Sequence, residues 1–175
     1  MRAARAAEVA SLSSAERVNA AAALASRIKD AVMSCTLLGS YAPMGNEIDP
    51  GAIERLAPRD VLLPWFADRG AAMTYRRVGD VRELGPFGVA QPKAAMALET
   101  PDLILVPLVG ATTAGDRIGQ GQGHFDRYLR ARRAEGDCIA IGLAWDSQIV
   151  DMLPTDPWDE PLDMIATPSS LYRRT

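Results

Sequence analysis

A chain of 175 residues, 48 % hydrophobic and 23 % charged, is long enough to bury one ordinary core without disulfides or a structural metal. Its net charge of -3 excludes a globally basic binder of nucleic acid or anionic membrane, so positive charge for an anionic ligand must be local. Cys35 and Cys138 lie far apart in apolar runs and form no metal motif, and the single histidine, His124, excludes a histidine-rich metal site.

The alanine-rich start reads as helical. No apolar leader region follows Met1-Arg2-Ala3-Ala4-Arg5. The expectation is a cytoplasmic protein with one domain over residues 1–175. Ser13 and Glu16 have capping-box spacing. Val18, Ala21, Ala25, Ile28 and Val32 follow on one helical face. A short apolar run at 36–41 predicts a strand, and Pro43, Gly45 and Asn46 make the next segment a loop. Asp49 as cap and Pro50 in the first position predict a short helix over 49–56. Strands are expected at 61–64 and 73–78, and residues 79–100 read as irregular.

Residues 103–109 form the most apolar run, expected at the centre of a sheet and buried on both faces. A glycine-rich loop over 110–123 leads into a helix at 125–134. Further strands are expected at 138–143 and 164–167, with irregular chain between them around 153–159. Alternating strands and helices of this kind imply an α/β fold with three layers, α/β/α, around a mostly parallel central sheet.

The segment most able to carry chemistry is 115–129, between the most buried strand and a helix. In open α/β sheets, ligands bind outside the carboxyl ends of the strands. Gly119, Gly121 and Gly123 alternate, which lets backbone N–H groups come close to an anion. The next helix adds its positive N-terminal end. Arg117 offers a planar fork to a phosphate. Asp126 suits either the helix dipole or a Mg²⁺ ion shared with phosphate oxygens. On spacing alone, the loop is compatible with a phosphate cradle and with a plain flexible turn. It lacks the lysine of a Walker loop and the spacing of a dinucleotide fingerprint.

The order Val106-Pro107, Gly115, Arg117-Ile118-Gly119, Gly121, Gly123, Phe125-Asp126 and Tyr128-Leu129 resembles the signature of the 5-formyltetrahydrofolate cyclo-ligases, also called methenyltetrahydrofolate synthetases. Tyr41-Ala42-Pro43 and Glu47-Ile48-Asp49 upstream, with Gln148, Leu153-Pro154, Asp159 and Leu162-Asp163 downstream, extend the resemblance over nearly the whole chain. It implies a NagB/RpiA/CoA-transferase-like form of the fold and conversion of 5-formyltetrahydrofolate to 5,10-methenyltetrahydrofolate with ATP and Mg²⁺.

Carried over by position, the ATP contacts would be Arg2, Arg117, Ile118, Gly119, Gln120, Gly121, Gln122, Gly123, His124 and Phe125. Arg117 and Asp126 would each be catalytic, and Asp126 and Asp159 the metal ligands. Folate would meet Ala42, Met44, Glu47 and the loop from Gln120 through Gly121, Gln122 and Gly123 to His124. Without the resemblance, Glu47 also reads as a solvated loop acid and Asp159 as the cap of a turn. Trp65, Phe87 and Trp158 read either as pocket walls or as packing residues. The partners implied are folate and ATP; the charge balance calls for neither nucleic acid nor membrane, and with no obvious apolar surface seam the expected state is a monomer.

Four features depart from the family pattern. Gln120 and Gln122 stand where Tyr, Arg or Lys is usual, and His124-Phe125 replaces a tyrosine pair. Ala111-Thr112-Thr113 replaces a Phe-Asp step. Arg2 aligns with a phosphate-binding arginine whose partner lysine would fall before Met1. These departures leave a related enzyme with another substrate, and a binding protein without turnover, as alternatives.

Overall fold

The apolar runs pair into one seven-stranded sheet. The computed structural model describes residues 1–174. Its first strands are β1 (Leu38–Gly39), β2 (Leu62–Trp65) and β3 (Thr74–Arg77), followed by a separate hairpin of β4 (Arg82–Leu84) and β5 (Ala90–Pro92). After β6 (Leu103–Pro107) comes a small ribbon of β7 (Gly110–Ala111) and β8 (Arg117–Ile118). β9 (Ile139–Leu143), β10 (Met164–Ala166) and β11 (Leu171–Arg173) complete the sheet, whose order is β11-β10-β9-β6-β1-β2-β3. The five inner strands run parallel; β3 and β11 are antiparallel edges.

Helices cover both faces, as the three-layer expectation required. On one side lie α1 (Arg2–Ser11), α2 (Ser14–Arg27), α3 (Lys29–Ser34) and α4 (Gly51–Glu54). Val9, Leu24, Ile28, Val32 and Ile53 from this layer pack with Leu103, Leu105, Ile141 and Leu143. On the other side, Leu129 of α5 (His124–Glu135) packs with Leu62, Ile104, Val106 and Ile165. Successive residues of β6 thus enter opposite cores, which is why that run carries no polar alternation. Asp102 anchors its start: its carboxylate accepts the N–H groups of Thr36 at 2.8 Å and Leu37 at 2.7 Å.

The capping box forms, with Ser13 Oγ accepting from Glu16 N–H and Glu16 Oε2 accepting from Ser13 N–H. Several boundaries differ from the sequence expectation. Val18 is 67 % exposed, and the predicted stripe is buried only from Ala25 onward. The chain leaves helical geometry at Ile28, splitting one expected helix into α2 and α3. Pro50 precedes α4 rather than opening it, and Asp49 caps by accepting Gly51 N–H. Residues 79–100 hold the β4–β5 hairpin, whose three-residue strands, β4 largely exposed and β5 buried at Gln91 and Pro92, leave little hydrophobic pattern to read. No helix among the described residues is long and apolar enough to cross a membrane.

From β1 the chain moves to β2 on one side, then returns to place β6 on the other. Connections leave in opposite directions at that point. The carboxyl ends of β1 and β6 therefore border the crevice where ligands of such sheets bind.

Candidate active site

A cavity of about 1020 Å³ opens at this crevice. The end of β1 contributes Tyr41, Ala42, Met44 and Glu47; β6 contributes Pro107. The β7–β8 ribbon turns the chain back so that Arg117 and Ile118 enter the wall, followed by the whole loop into α5. Every residue proposed from the sequence as a ligand contact lines this cavity except Arg2, which reaches its rim through Gln120.

The loop presents a row of free donors. Among the described residues, no backbone N–H from Gly119 to Asp126 donates a hydrogen bond within the chain. Gly123 is the N-cap of α5 and offers no side-chain cap, so the first turn keeps its orphan N–H groups and the positive end of its dipole. Gly121 and Gly123 have φ of 92° and 62°, which only glycine adopts without strain. Gly119 has no such φ, and a Cβ there would meet open space.

Arg117 and Asp126, read separately from the sequence, are each other's partners. An Arg117 guanidinium nitrogen lies 2.7 Å from Asp126 Oδ1, with side chains only 5 % and 15 % exposed. The same oxygen accepts Glu160 N–H at 3.2 Å. Arg117 Nε is buried without a partner. The fork is thus partly committed before any ligand arrives, because the ribbon and the first turn of α5 bring residues nine apart into contact.

Asp159 does cap a turn, accepting Asp156 N–H at 2.8 Å through Oδ2. It also lines the cavity with Asp126. Each carboxylate keeps one oxygen without a hydrogen-bond partner among the described residues. No cluster of three acidic, histidine or cysteine ligands occurs there. This donor set fits Mg²⁺, which takes one or two carboxylates and completes its shell with phosphate oxygens and water.

The family model of the 5-formyltetrahydrofolate cyclo-ligases matches residues 1–168. The chain belongs to that family. It is 29 % identical over 143 residues to the 5-formyltetrahydrofolate cyclo-ligase of Mycolicibacterium smegmatis, covering 74 % of this chain and 72 % of the relative. To the Haemophilus influenzae cyclo-ligase it is 38 % identical over 80 residues, or 43 % of this chain. The match spans about two fifths of that relative's length, 42 %. Among solved structures, Aquifex aeolicus 5,10-methenyltetrahydrofolate synthetase superposes with a TM-score of 0.79 at 26 % identity, over 99 % of this chain and 90 % of the other.

The cyclo-ligase departures have structural consequences. Gln120 donates to Glu47 Oε1 at 3.1 Å and accepts from Arg2 at 2.7 Å, while Glu47 Oε2 accepts Met44 N–H at 2.9 Å. Glu47 is therefore a tied carboxylate rather than a solvated one. His124 Nδ1 lies 3.1 Å from an Arg127 guanidinium nitrogen. Arginine only donates, so Nδ1 accepts and the ring proton sits on Nε2, which is buried without a partner. Burial first, then the Arg127 charge, pushes the imidazole below its ordinary value. The shift favours the neutral ring, which can still donate through Nε2–H.

Thr112 bonds to Asp116 and closes the β7–β8 turn where the Phe-Asp step was expected. His124 meets Phe66 and Phe87 edge-on, with centroids 4.7 and 5.1 Å away. Phe87 and Trp158 line the cavity. Trp65 does not; it bonds to Glu83 and carries Arg76 over its face. The sequence reading missed Phe66 and Gln91 as wall residues. The only available signal for Phe66 was its place at the end of a strand.

Proposed function

We propose that this chain closes 5-formyltetrahydrofolate to 5,10-methenyltetrahydrofolate with ATP, releasing ADP and phosphate. The observation that carries the reading is the row of free N–H groups from Gly119 to Asp126, beside the Arg117–Asp126 pair, in a crevice that also holds an aromatic wall. The cavity, about 1020 Å³, is at the upper end of the usual range for small-molecule sites and suits two ligands side by side.

An amide-like formyl oxygen leaves poorly. In the proposed sequence it attacks the γ-phosphorus of ATP, and ADP departs with the electron pair of the broken P–O bond. N10 then attacks the formyl carbon and loses its proton. The C–O bond breaks and phosphate carries the oxygen away. Phosphoryl transfer of this type needs alignment and charge stabilisation more than a covalent nucleophile.

The loop amides and the start of α5 would cradle the phosphates. Arg117, oriented by Asp126, would face the transferring group. Glu47 would take donors of the reduced pterin in place of Gln120, and Phe66, Phe87 and His124 would wall its ring. Asp126 and Asp159 would hold Mg²⁺, which supplies positive charge to the phosphate oxygens when bound. The proposed setting is a monomer in the cytoplasm.

The test is incubation of the protein with 5-formyltetrahydrofolate and Mg-ATP, following methenyl absorbance and ADP together. Equal amounts of both products are expected. Binding of both ligands without either product would reduce the chain to a binding protein, and ADP release without methenyl product would point to another acceptor.

A further inference from the structure

Gln91, on β5, is only 6 % exposed, and the proposed mechanism gives it no role. All of its amide atoms are nevertheless engaged. Oε1 accepts Phe66 N–H at 3.2 Å, and Nε2 donates to the Phe66 carbonyl at 3.1 Å and to Glu83 Oε1 at 3.2 Å. Phe66 offers one donor and one acceptor, so the amide fits in a single orientation. The pairing imitates a strand rung one residue beyond the end of β2. Glu83 Oε1 also accepts Trp65 Nε1 at 3.0 Å. Hydrogen bonds from Gln91 first and Trp65 second hold the Glu83 carboxyl below its ordinary value. Gly85 leaves room for this arrangement, since a Cβ there would lie 2.5 Å from Gln91 Oε1.

The consequence lies in the wall. Phe66 meets Phe87 edge-on at 4.9 Å, and both meet His124. Phe87 sits in the turn of the hairpin that carries Gln91. One amide therefore fixes the backbone of Phe66 against the hairpin bearing its partner ring. We propose that Gln91 is a positioning residue that sets the spacing of the Phe66–Phe87–His124 wall, and through it the fit of the substrate's reduced bicyclic pterin. The substrate half of this claim rests on the folate reading above; the positioning half does not.

Two variants perturb the amide differently. Gln91→Met keeps its length and removes the three side-chain hydrogen bonds while leaving the backbone ladder intact. Gly85→Ala leaves Gln91 in the sequence and drives its amide off Phe66. Each is expected to raise the KM for 5-formyltetrahydrofolate about tenfold, as loss of one or two buried hydrogen bonds would, with the KM for Mg-ATP unchanged. The double variant should be no worse than the poorer single, because both break the same contact.

His124 is the single histidine, so its ring-proton NMR signals report the wall in the ligand-free protein without assignment. Those signals should shift in both variants as the flanking rings move. Unmoved His124 signals in the folded variants, or equal losses toward folate and ATP, overturn the proposal. A wild-type protein that ignores 5-formyltetrahydrofolate while the His124 signals still shift upholds the positioning and overturns the substrate assignment.

Discussion

Replacing Asp126 tests the site and its energetics together. Its partner Arg117 is 2.7 Å away and nearly inaccessible. At that separation and an effective dielectric of about 20, the bare attraction is about 6 kcal/mol. Desolvation of both groups offsets much of it, but removing one partner leaves the other charge buried alone. Asp126→Ala should therefore cost about 3–5 kcal/mol, and with a urea slope near 2 kcal/mol/M the midpoint should fall by about 2 M. Typical domain stabilities of about 5–15 kcal/mol leave most such variants folded in water. Turnover should fall by about a hundredfold or more, the scale of losing a charge-stabilising group at a reacting centre. The double variant Arg117→Met/Asp126→Leu removes both charges and should recover most of the midpoint while staying inactive. A midpoint shift under about 0.5 M in the single variant would mean that the pair is effectively solvated. An active double variant would remove both residues from the chemistry.

Three further outcomes follow from individual contacts. Gly119→Ala should fold with wild-type stability, since its Cβ meets nothing, yet weaken ATP binding by about tenfold through lost close approach; Gly121→Ala, at φ 92°, should also lose about 1–2 kcal/mol of stability. Glu47→Gln should raise the folate KM about tenfold or more with the ATP KM unchanged, the loss expected when donors meet a neutral acceptor; a fall in ATP affinity alone would exchange the two pockets. Burial would raise the Asp102 carboxyl, but the Thr36 and Leu37 N–H groups together hold it below its ordinary value. Its contribution is thus present above the unfolded value near 3.9 and lost as pH falls through the lower folded value. Asp102→Asn should cost about 1–2 kcal/mol at pH 7, and urea titrations should show that difference shrinking below the ordinary carboxylate range.

Legibility in the sequence followed locality. Three alternate glycines between an apolar run and a helix announced the loop, because both the strand–loop–helix context and the φ requirement are local. The capping box at Ser13 and Glu16 was legible for the same reason. The Arg117–Asp126 pair was not: the β7–β8 ribbon that aims Arg117 consists of two-residue strands with no periodicity to detect. Trp65 and Phe66 are neighbours, and the twofold period of a strand sends them to opposite faces; composition does not say which faces a cavity. Gln91 illustrates the limit most sharply. A neutral amide in a segment read as irregular acquires its importance only when the hairpin docks on the end of β2.

The charge balance of the cavity makes the metal dependence testable. Arg69, Arg117, Arg127 and Arg130 line it, but so do Glu47, Asp126, Asp156 and Asp159. Arg117 and Arg130 are already paired, with Asp126 and Glu160, and burial with the Arg127 charge favours the neutral form of His124. Side chains alone therefore provide little net attraction for a triphosphate. The free amides and the helix end supply only partial charges, together about half a unit for the dipole. On the proposed reading, full-strength binding requires the cation assigned to Asp126 and Asp159, which line the same cavity. Calorimetric titration with a non-hydrolysable ATP analogue should lose at least about tenfold in affinity when EDTA replaces Mg²⁺, a difference of about 1.4 kcal/mol. Asp159→Asn keeps an oxygen for Asp156 N–H and should erase most of that dependence without unfolding the protein. Equal affinity with and without the metal would show that the amide row suffices, and Asp159 would revert to the cap of a turn.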